Sequence, residues 1–356
     1  MLSTHAVYPS RSLIDLKITT FNIEWMNDLF YSGEPRFKRS HKKSSYSGPS
    51  INNVSTLCSR IQGAIREINP DILGVVEGPK LQSQMEKFVR QYLNDEYFVV
   101  ASPSQRAQRP YLLVRRSGGM TVRTLHDDLR YGKMVKRWQF YPWGTYLEED
   151  AKSHGFYRKP LVVEIQSEER EFTVILLHIK SKHIGLKPTK KKTYVEESIL
   201  ARQKITSEIK KVRDYLDDAL MEETTRSMVV MGDFNDGPGR DLFEEQFMLQ
   251  NLVDVIQGTL LDPELNIYHV LEDLKTGAYT LEFDDPERGG RNRELIDHIL
   301  LSPGMFYGTA DFLYVKGSGK VEHNAWEMNL GESPDDVRDD RPSDHRPVTT
   351  QVVAGE

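Results

Sequence analysis

The chain has 356 residues, of which 38% are hydrophobic and 28% are charged, and its formal net charge is −6. This length allows one large α/β domain or two smaller ones, with a sizeable buried core. The negative net charge argues against a globally basic nucleic-acid-binding surface, so any polyanion would have to bind at local clusters of basic residues.

The cysteine content and the hydropathy narrow the class of protein further. Cys58 is the only cysteine, which rules out an intramolecular disulfide and a cysteine-based zinc site. Residues 1–16 contain no apolar stretch that resembles a secretory signal. No apolar run reaches the length of a membrane helix. We therefore predict a cytoplasmic protein without a membrane partner.

The first third of the chain alternates between strand and helix patterns. Residues 16–21 alternate like a strand that ends at Asn22, and apolar residues recur at helical spacing over residues 54–68. Residues 71–77 have the composition of the next buried strand, and Glu77 lies at its end. This order predicts an α/β fold.

The segment between the first strand and the first helix is different in character. Residues 27–50 are polar and include a cluster of basic side chains. We interpret them as an exposed insertion, with a solvated surface as the preferred explanation of the charge and contact with a polyanion as the second. No repeat or linker is visible elsewhere, so we predict a single domain over residues 1–356.

The middle of the chain predicts a second helix and two strand pairs. The helix covers roughly residues 81–93, and residues 97–100 and 111–114 read as paired strands. Residues 161–165 and 172–177 read as a hairpin that ends at His178. Lys180 follows at i+2 and therefore lies on the same face.

The last third of the chain contains the most informative strand. Met228–Met231 is a run of four apolar residues, typical of a strand buried on both faces, and Asp233 and Asn235 follow it at i and i+2. After a predicted flexible turn over residues 288–293 comes a strand in which Asp297 has apolar neighbours, and such a carboxylate needs a hydrogen-bonding partner. Asp344 and His345 then precede the final strand, residues 348–353.

Polar side chains thus recur where predicted strands end, which is where sites gather in α/β sheets. Oxygen ligands from Asp, Glu and Asn suit Mg²⁺ or Mn²⁺ better than zinc. A histidine with a buried aspartate behind it is a common form of general base. The chain contains neither the phosphate-binding P-loop pattern nor the H-E-x-x-H zinc pattern.

An ordered set of segments resembles the motif series of the endonuclease/exonuclease/phosphatase superfamily, which has the deoxyribonuclease I-like fold. These segments are Thr20–Trp25, Pro70–Glu77, Gly232–Asn235, Ile296–Leu300 and Ser343–Pro347, and His178–Lys182 resembles the version of many bacterial nuclease-like members. The resemblance extends from residue 17 to residue 353. It implies an α/β four-layer sandwich in which two packed mixed β-sheets are flanked by helices.

The resemblance also implies a metal site. Glu77 would be the principal ligand, and Asn22 and Asp344 would lie close to the metal and the phosphate. The implied cofactor is Mg²⁺ or Mn²⁺.

The remaining strand-end residues acquire catalytic roles from the same resemblance. Asp233 and Asn235 would position or activate water and hold the phosphate. Asp297 would orient His345, which would act as a base or a phosphate contact, and His178 would face the phosphate from the other side and could protonate the leaving group. Whether Asp233 or His345 takes the proton of the water stays open at this point.

The fold alone does not choose a substrate, because it hosts hydrolysis of several phosphoester classes. Basic side chains beside the site favour a polyanion, and we predict substrate contacts at Lys180, Lys182, Lys190, Lys191 and Lys192. The preferred hypothesis is a metal-dependent phosphodiester hydrolase, an endo- or exonuclease acting on DNA. The alternative is a small-molecule or lipid phosphodiesterase or phosphatase, and the third is a catalytically inactive binding module that retains the fold.

Overall fold

The computed structural model describes residues 15–45, 47–104, 106–141, 148–182, 193–259, 261–271, 278–284, 290–335 and 337–355. The strands are β1 (Asp15–Asn22), β2 (Ile72–Gly78), β3 (Tyr97–Ala101), β4 (Arg109–Arg115), β5 (Thr121–Thr124), β6 (Trp138–Phe140), β7 (Lys152–His154), β8 (Leu161–Ser167), β9 (Arg170–His178), β10 (Met228–Asp233), β11 (Tyr268–His269), β12 (Leu281–Asp284), β13 (Arg291–Glu294), β14 (Asp297–Leu301), β15 (Phe312–Tyr314), β16 (Lys320–Val321) and β17 (Val348–Ala354). The α-helices are α1 (Val54–Ile68), α2 (Gln82–Tyr92), α3 (Leu129–Val135), α4 (Tyr194–Glu222), α5 (Leu242–Gln246), α6 (Leu252–Gln257), α7 (Pro303–Tyr307) and α8 (His323–Glu327).

Most of the strands form two large mixed sheets. The first sheet has the order β15-β17-β1-β2-β4-β3, with β16 paired to β17, and the second has the order β11-β14-β10-β9-β8-β5. The pairs β1–β2 and β9–β10 are parallel, and their neighbours in each sheet are antiparallel. Two two-stranded sheets, β6–β7 and β12–β13, lie outside these sheets.

The core lies between the two sheets and under the helices on their outer faces. Ile18 and Val76 of the first sheet share one buried cluster with Leu176 and Met231 of the second. Helices α1 and α2 cover the outer face of the first sheet, and α3, α4 and α6 cover that of the second. The predicted four-layer arrangement of helices, sheet, sheet and helices is confirmed.

Helix α1 shows how the sequence specifies these layers. The side chain of Asn53 accepts a hydrogen bond from the backbone N–H of Thr56 and caps the N-terminus, and Asn69 ends the helix in the left-handed conformation. Leu57 and Ile61 lie on its apolar face and are fully buried. Each such side chain contributes about 1.5–3 kcal/mol through burial of apolar surface.

Strand β10 is buried along its whole length, as its apolar run predicts. Val229 and Met231 face the core between the sheets, whereas Met228 and Val230 pack under the helices. The strand is therefore held from both sides, which makes its carboxyl end a rigid platform.

Two local predictions need comment. The turn predicted over residues 288–293 is wrong from Arg291, because Arg291–Glu294 forms β13 and pairs with β12. In the predicted insertion, residues 31–36 and 42–45 are exposed, whereas Leu29 and Phe30 are buried in the cluster with α1. The extent of the insertion and the single-domain assignment stay predictions.

Among the described residues, no helix combines the length and the apolar character that crossing a membrane requires. The cytoplasmic location stays a prediction.

Gly232 is the residue of β10 that tolerates no side chain. Its φ is +133°, and a Cβ atom there would lie 2.0 Å from the carbonyl oxygen of Leu177. Both the backbone conformation and the close approach of β9 therefore require glycine.

We predict that Gly232→Ala lowers the free energy of unfolding by about 1–3 kcal/mol or more, because strain and overlap act together. Urea denaturation measures the change. The matched control is Gly132→Ala in α3, where a Cβ atom would meet nothing within 4 Å. This substitution should stabilise the helix by about 0.5–1 kcal/mol. Equal unfolding free energies for the two variants would contradict the prediction.

Candidate active site

The predicted site residues meet where strand ends of the two sheets lie side by side. Asp233 at the end of β10 is the register partner of His178 on β9 and of Asp297 on β14. Directly opposed residues on neighbouring strands project to the same face. The pairing of these three strands therefore brings Asp233, His178 and Asp297 together.

The first sheet contributes Asn22 and Glu77 from parallel strands. Asn22 is the register partner of Val76, so Glu77 follows at the same edge. The Nδ2 group of Asn22 donates to Oδ2 of Asp233 over 2.9 Å, and both side chains are about 1% exposed. This hydrogen bond joins the two sheets at the site.

Asp233 is a buried carboxyl group close to other acids. Burial and the neighbouring Asp297 carboxylate raise its pKa to about 7. Its Oδ1 accepts the backbone N–H of Asn235 at 2.7 Å. Asn235 adopts a positive φ of +53° and donates its side-chain amide to the carbonyl of Ile179, so it fixes the turn after β10.

The predicted partner of Asp297 is found. Nδ1 of His345 lies 2.7 Å from Oδ2 of Asp297, and both residues are buried. Burial alone would lower the pKa of His345, but the carboxylates of Asp297 and Asp344 outweigh it and hold that pKa far above its usual range. The imidazole is therefore charged at neutral pH, and its other ring nitrogen faces the amide of Asn22 at 3.4 Å.

The pKa values of the acids Glu77 and Asp344 are shifted in opposite directions. Burial and the nearby Asp344 carboxylate raise the pKa of Glu77, although its Oε2 accepts the backbone N–H of Trp25 at 2.7 Å. Burial would also raise the pKa of Asp344, but His345, Arg341 and other cations hold it below its usual value. One carboxylate thus lacks sufficient compensating positive charge, which a bound cation would supply.

Two separate sets of residues could hold a divalent cation. Ligand atoms of Asp233, Asp297 and His345 lie within 4.8 Å of one another, but Oδ2 of Asp297 is already engaged by Nδ1 of His345 at 2.7 Å. The chemistry of the donors therefore favours the predicted carboxylates Glu77 and Asp344.

The part of Asn22 in metal binding stays a prediction. In the observed geometry its Oδ1 accepts the backbone N–H of Glu24 at 3.0 Å. Its amide nitrogen, rather than its oxygen, is turned towards Asp233 and His345.

His178 lies between the two sheets at the floor of the site. Its Nε2 is 3.9 Å from both Glu77 Oε1 and Asp233 Oδ2. Burial, and next the positive charge of Arg158, hold the pKa of His178 well below its usual value. The ring is thus neutral and can serve as a hydrogen-bond donor or acceptor, but it carries no proton to spare at neutral pH.

Sequence reasoning missed Arg158, which lies just before β8. The guanidinium is buried, binds the side-chain oxygen of Gln108, and leaves Nε and Nη1 without a hydrogen-bond partner. Burial lowers the pKa of Arg158, and the charges of Glu77 and Asp233 oppose that effect. Unsatisfied donors on a buried cation beside acids are what an anionic ligand would satisfy. No local sequence pattern marks this arginine, because its neighbours are distant in the chain.

Lys182, predicted to contact substrate, has its charge compensated internally. Its Nζ lies 2.6 Å from Asp236 Oδ1, 2.9 Å from Asp241 Oδ2 and 3.4 Å from Glu244 Oε1. The ammonium group therefore anchors the segment that follows β10.

The other lysines in the substrate prediction are differently placed. Lys180 is exposed just after β9. Lys190, Lys191 and Lys192 lie outside the described residues. Contacts between these lysines and substrate stay predictions.

Comparison with known proteins identifies the fold. No protein-family model and no curated protein matches the sequence. Truncated TDP2 from Caenorhabditis elegans matches with a TM-score of 0.52 and 12% identity over 96% of this chain and 98% of its own. An endonuclease/exonuclease/phosphatase protein from Bacteroides vulgatus matches with a TM-score of 0.51 and 15% identity over 95% of this chain and 98% of its own. A mannosyl-6-phosphatase from Bacteroides thetaiotaomicron matches with a TM-score of 0.52 and 14% identity over 95% of this chain and 99% of its own.

We predict that the His345–Asp297 pair makes stability depend on pH. The folded-state pKa of His345 is raised above 6.5, its ordinary value. Its contribution to the free energy of unfolding is therefore fully present below the unfolded-state pKa and is lost as the pH rises through the folded-state pKa.

Asp297→Asn should remove most of this dependence, because the variant lacks the main carboxylate that favours the imidazolium. Melting temperatures of the parent protein and of Asp297→Asn over a series of pH values measure this pH dependence. Asp254→Asn, which removes an exposed carboxylate on α6, should behave as the parent protein does. Parallel pH curves for the parent protein and Asp297→Asn would contradict the prediction.

Proposed function

We propose that this chain, which has the endonuclease/exonuclease/phosphatase, deoxyribonuclease I-like fold, is a divalent-metal-dependent phosphoester hydrolase with DNA as its first candidate substrate. The observation that carries the proposal is the buried cluster joined by the Asn22–Asp233 hydrogen bond, in which an acid with a pKa of about 7 lies beside a charged imidazole. Such opposed pKa shifts of neighbouring groups are typical of acid–base catalysis. At these low identities the similar structures support the fold only, so the chemistry is argued from the site.

The two candidate bases differ in protonation state. Asp233, with a pKa of about 7, can accept a proton from water near neutral pH. His345 already carries its proton, because Asp297 and Asp344 outweigh the effect of burial. This difference supports Asp233 as the base and His345 as a cation that binds a phosphate oxygen, with Asp297 holding its ring in one orientation.

Hydrolysis then follows from the placement of these groups. Water attacks phosphorus as a carboxylate oxygen of Asp233 takes its proton, and the bond to the leaving oxygen breaks. Negative charge grows on the phosphoryl oxygens, and His345 and the free N–H groups of Arg158 can stabilise it. The neutral His178 ring can donate a hydrogen bond to the leaving oxygen.

Glu77 and Asp344 would hold the divalent cation, Mg²⁺ or Mn²⁺, as oxygen ligands. The bound cation would act as a Lewis acid towards the phosphoryl oxygens. This assignment agrees with the raised pKa of Glu77, which burial and the like charge of Asp344 produce.

A small phosphate ester is the second candidate substrate. The ion pairs of Lys182 with Asp236, Asp241 and Glu244 remove one of the positive charges expected to hold a nucleic-acid backbone. Arg158 and His345 suffice to bind a single phosphate group. The similarity to a mannosyl-6-phosphatase is a reason to include phosphate monoesters in the assay.

The metal requirement is directly testable. Hydrolysis of plasmid DNA, RNA, a chromogenic phosphodiester and a sugar phosphate should require Mg²⁺ or Mn²⁺ and should stop in EDTA. Glu77→Gln should lower the rate on the order of 10²-fold or more, since cation binding contributes several kcal/mol to the transition state.

Glu67→Gln is the matched control, because Glu67 is exposed on α1 and should leave the rate unchanged. Undiminished hydrolysis in the chelator would refute the metal assignment. If the parent protein hydrolyses none of the four substrates, the proposed enzymatic activity is refuted.

The substrate class is tested through salt dependence. If Lys190, Lys191 and Lys192 contact a nucleic-acid backbone, cleavage of long DNA should weaken steeply as salt rises, with about 0.7–0.9 added to the log–log slope for each phosphate contact. Replacing all three with alanine should flatten this slope and spare a small phosphodiester.

Exposed Lys316 and Lys320, replaced by alanine together, provide the control. Equal losses on DNA and on the small substrate would assign Lys190, Lys191 and Lys192 to general stability. DNA cleavage that ignores salt would favour the small phosphate ester.

A further inference from the structure

Glu24 has no place in the mechanism above, yet it is held in an unfavourable backbone conformation at the edge of the site. It lies two residues after Asn22, is 6% exposed, and has a φ of +38°. Its N–H donates to Oδ1 of Asn22. A strained, buried acid next to site residues calls for a physical reason.

The carboxylate of Glu24 is bound by two arginines, of which Arg338 is buried and Arg341 is half-buried. Nε of Arg338 lies 2.9 Å from Oε2, and Nη2 of Arg341 lies 3.1 Å from Oε1. Arg338 also donates to the carbonyls of Glu24 and Pro342. Glu24 therefore compensates two cations that come from the segment preceding Asp344.

The same carboxylate holds the backbone of Asp344. The N–H of Asp344 donates to Oε2 of Glu24 over 3.0 Å. Arg338 and Arg341 lie close enough to Asp344 to act on its charge. Without Glu24, the two guanidinium groups would depend on the other carboxylates that act on them, Asp344 and, for Arg341, also Asp335.

We propose that Glu24 is a positioning residue that keeps Arg341 paired away from Asp344, so that the Asp344 carboxylate stays available to a divalent cation. Glu24 is not itself a ligand, because both of its oxygens accept hydrogen bonds from Arg341 and one also accepts from Arg338 and from Asp344. The inference rests on the proposed metal-dependent function. It adds a requirement that this function alone does not make, namely that a carboxylate outside the ligand set governs metal affinity.

Glu24→Gln tests the charge with almost no change in volume. Mn²⁺ titration of the metal-free protein by calorimetry should show an affinity reduced on the order of 10- to 100-fold, the usual effect of losing a residue that supports a ligand. The hydrolysis rate at saturating Mn²⁺ should fall less than the affinity, since the ligand itself remains. Glu24→Gln combined with Arg341→Gln should recover most of the affinity, because the competing cation is gone.

Asp340→Asn is the matched control, because it removes a different ion pair of the segment that precedes Asp344 and so tests the effect of loosening that segment. Asp340 follows Arg338 in the same short 3₁₀ helix and binds Arg60 at 3.2 Å. This variant should bind Mn²⁺ as the parent protein does. A structural role of Glu24 alone would instead predict similar losses in Glu24→Gln and Asp340→Asn, with no recovery in the double variant.

Several outcomes would overturn the inference. Parental Mn²⁺ affinity in Glu24→Gln would do so, as would an affinity that the second substitution fails to restore. If melting curves show that Glu24→Gln does not fold, Arg341→Gln alone decides: it should bind Mn²⁺ at least as tightly as the parent protein, and weaker binding rejects the inference. Absence of Mn²⁺ binding in the parent protein would reject the proposed function and this inference together, whereas binding and hydrolysis in the parent with no effect of Glu24→Gln would reject this inference alone.

Discussion

The hydrogen bond between Asn22 and Asp233 is the contact on which the site depends. It joins the end of β1 in the first sheet to the end of β10 in the second, 211 residues later. Both side chains are about 1% exposed, and losing one partner would leave a buried polar group unsatisfied at a cost of about 1–3 kcal/mol. Through Asp233 the first sheet is connected to His178 and Asp297, whose positions follow from the pairing of β9, β10 and β14. A slip of one residue in β10 would turn Asp233 to the opposite face and remove the contact.

Burial gives the groups in this cluster their chemistry. Low water access raises the pKa of Glu77 and Asp233, whereas pairing with carboxylates keeps His345 charged despite its burial. The pKa values of adjacent groups thus shift in ways that favour the neutral acid at Asp233 and the charged imidazole at His345. Perturbed pKa values of this kind cluster at functional sites in proteins.

Positive charge near the site is not the same as positive charge available to a substrate. Lys182, Arg338 and Arg341 are each paired with carboxylates of the protein, which compensate their charge. Arg158 differs because two of its donor groups have no partner. Of the charged groups described, Arg158 and His345 are therefore the ones that the proposed function uses to bind substrate, and a fold shared with proteins of 12–15% identity leaves the choice of substrate to such details.

The sequence by itself determined the elements and the inventory of strand-end groups. Helical spacing over residues 54–68 and the apolar run before Asp233 encode burial locally, and α1 and β10 are found where these patterns predict them. The apolar frame of Asp297 required a partner, and the ordered motifs identified His345. Tertiary structure alone decided the surroundings of Arg158 and Lys182 and the ion pairs of Glu24 with residues more than 300 positions away. The physical reason is that periodicity reports which face of an element is buried, whereas the partner of a charged side chain depends on how distant loops pack against each other.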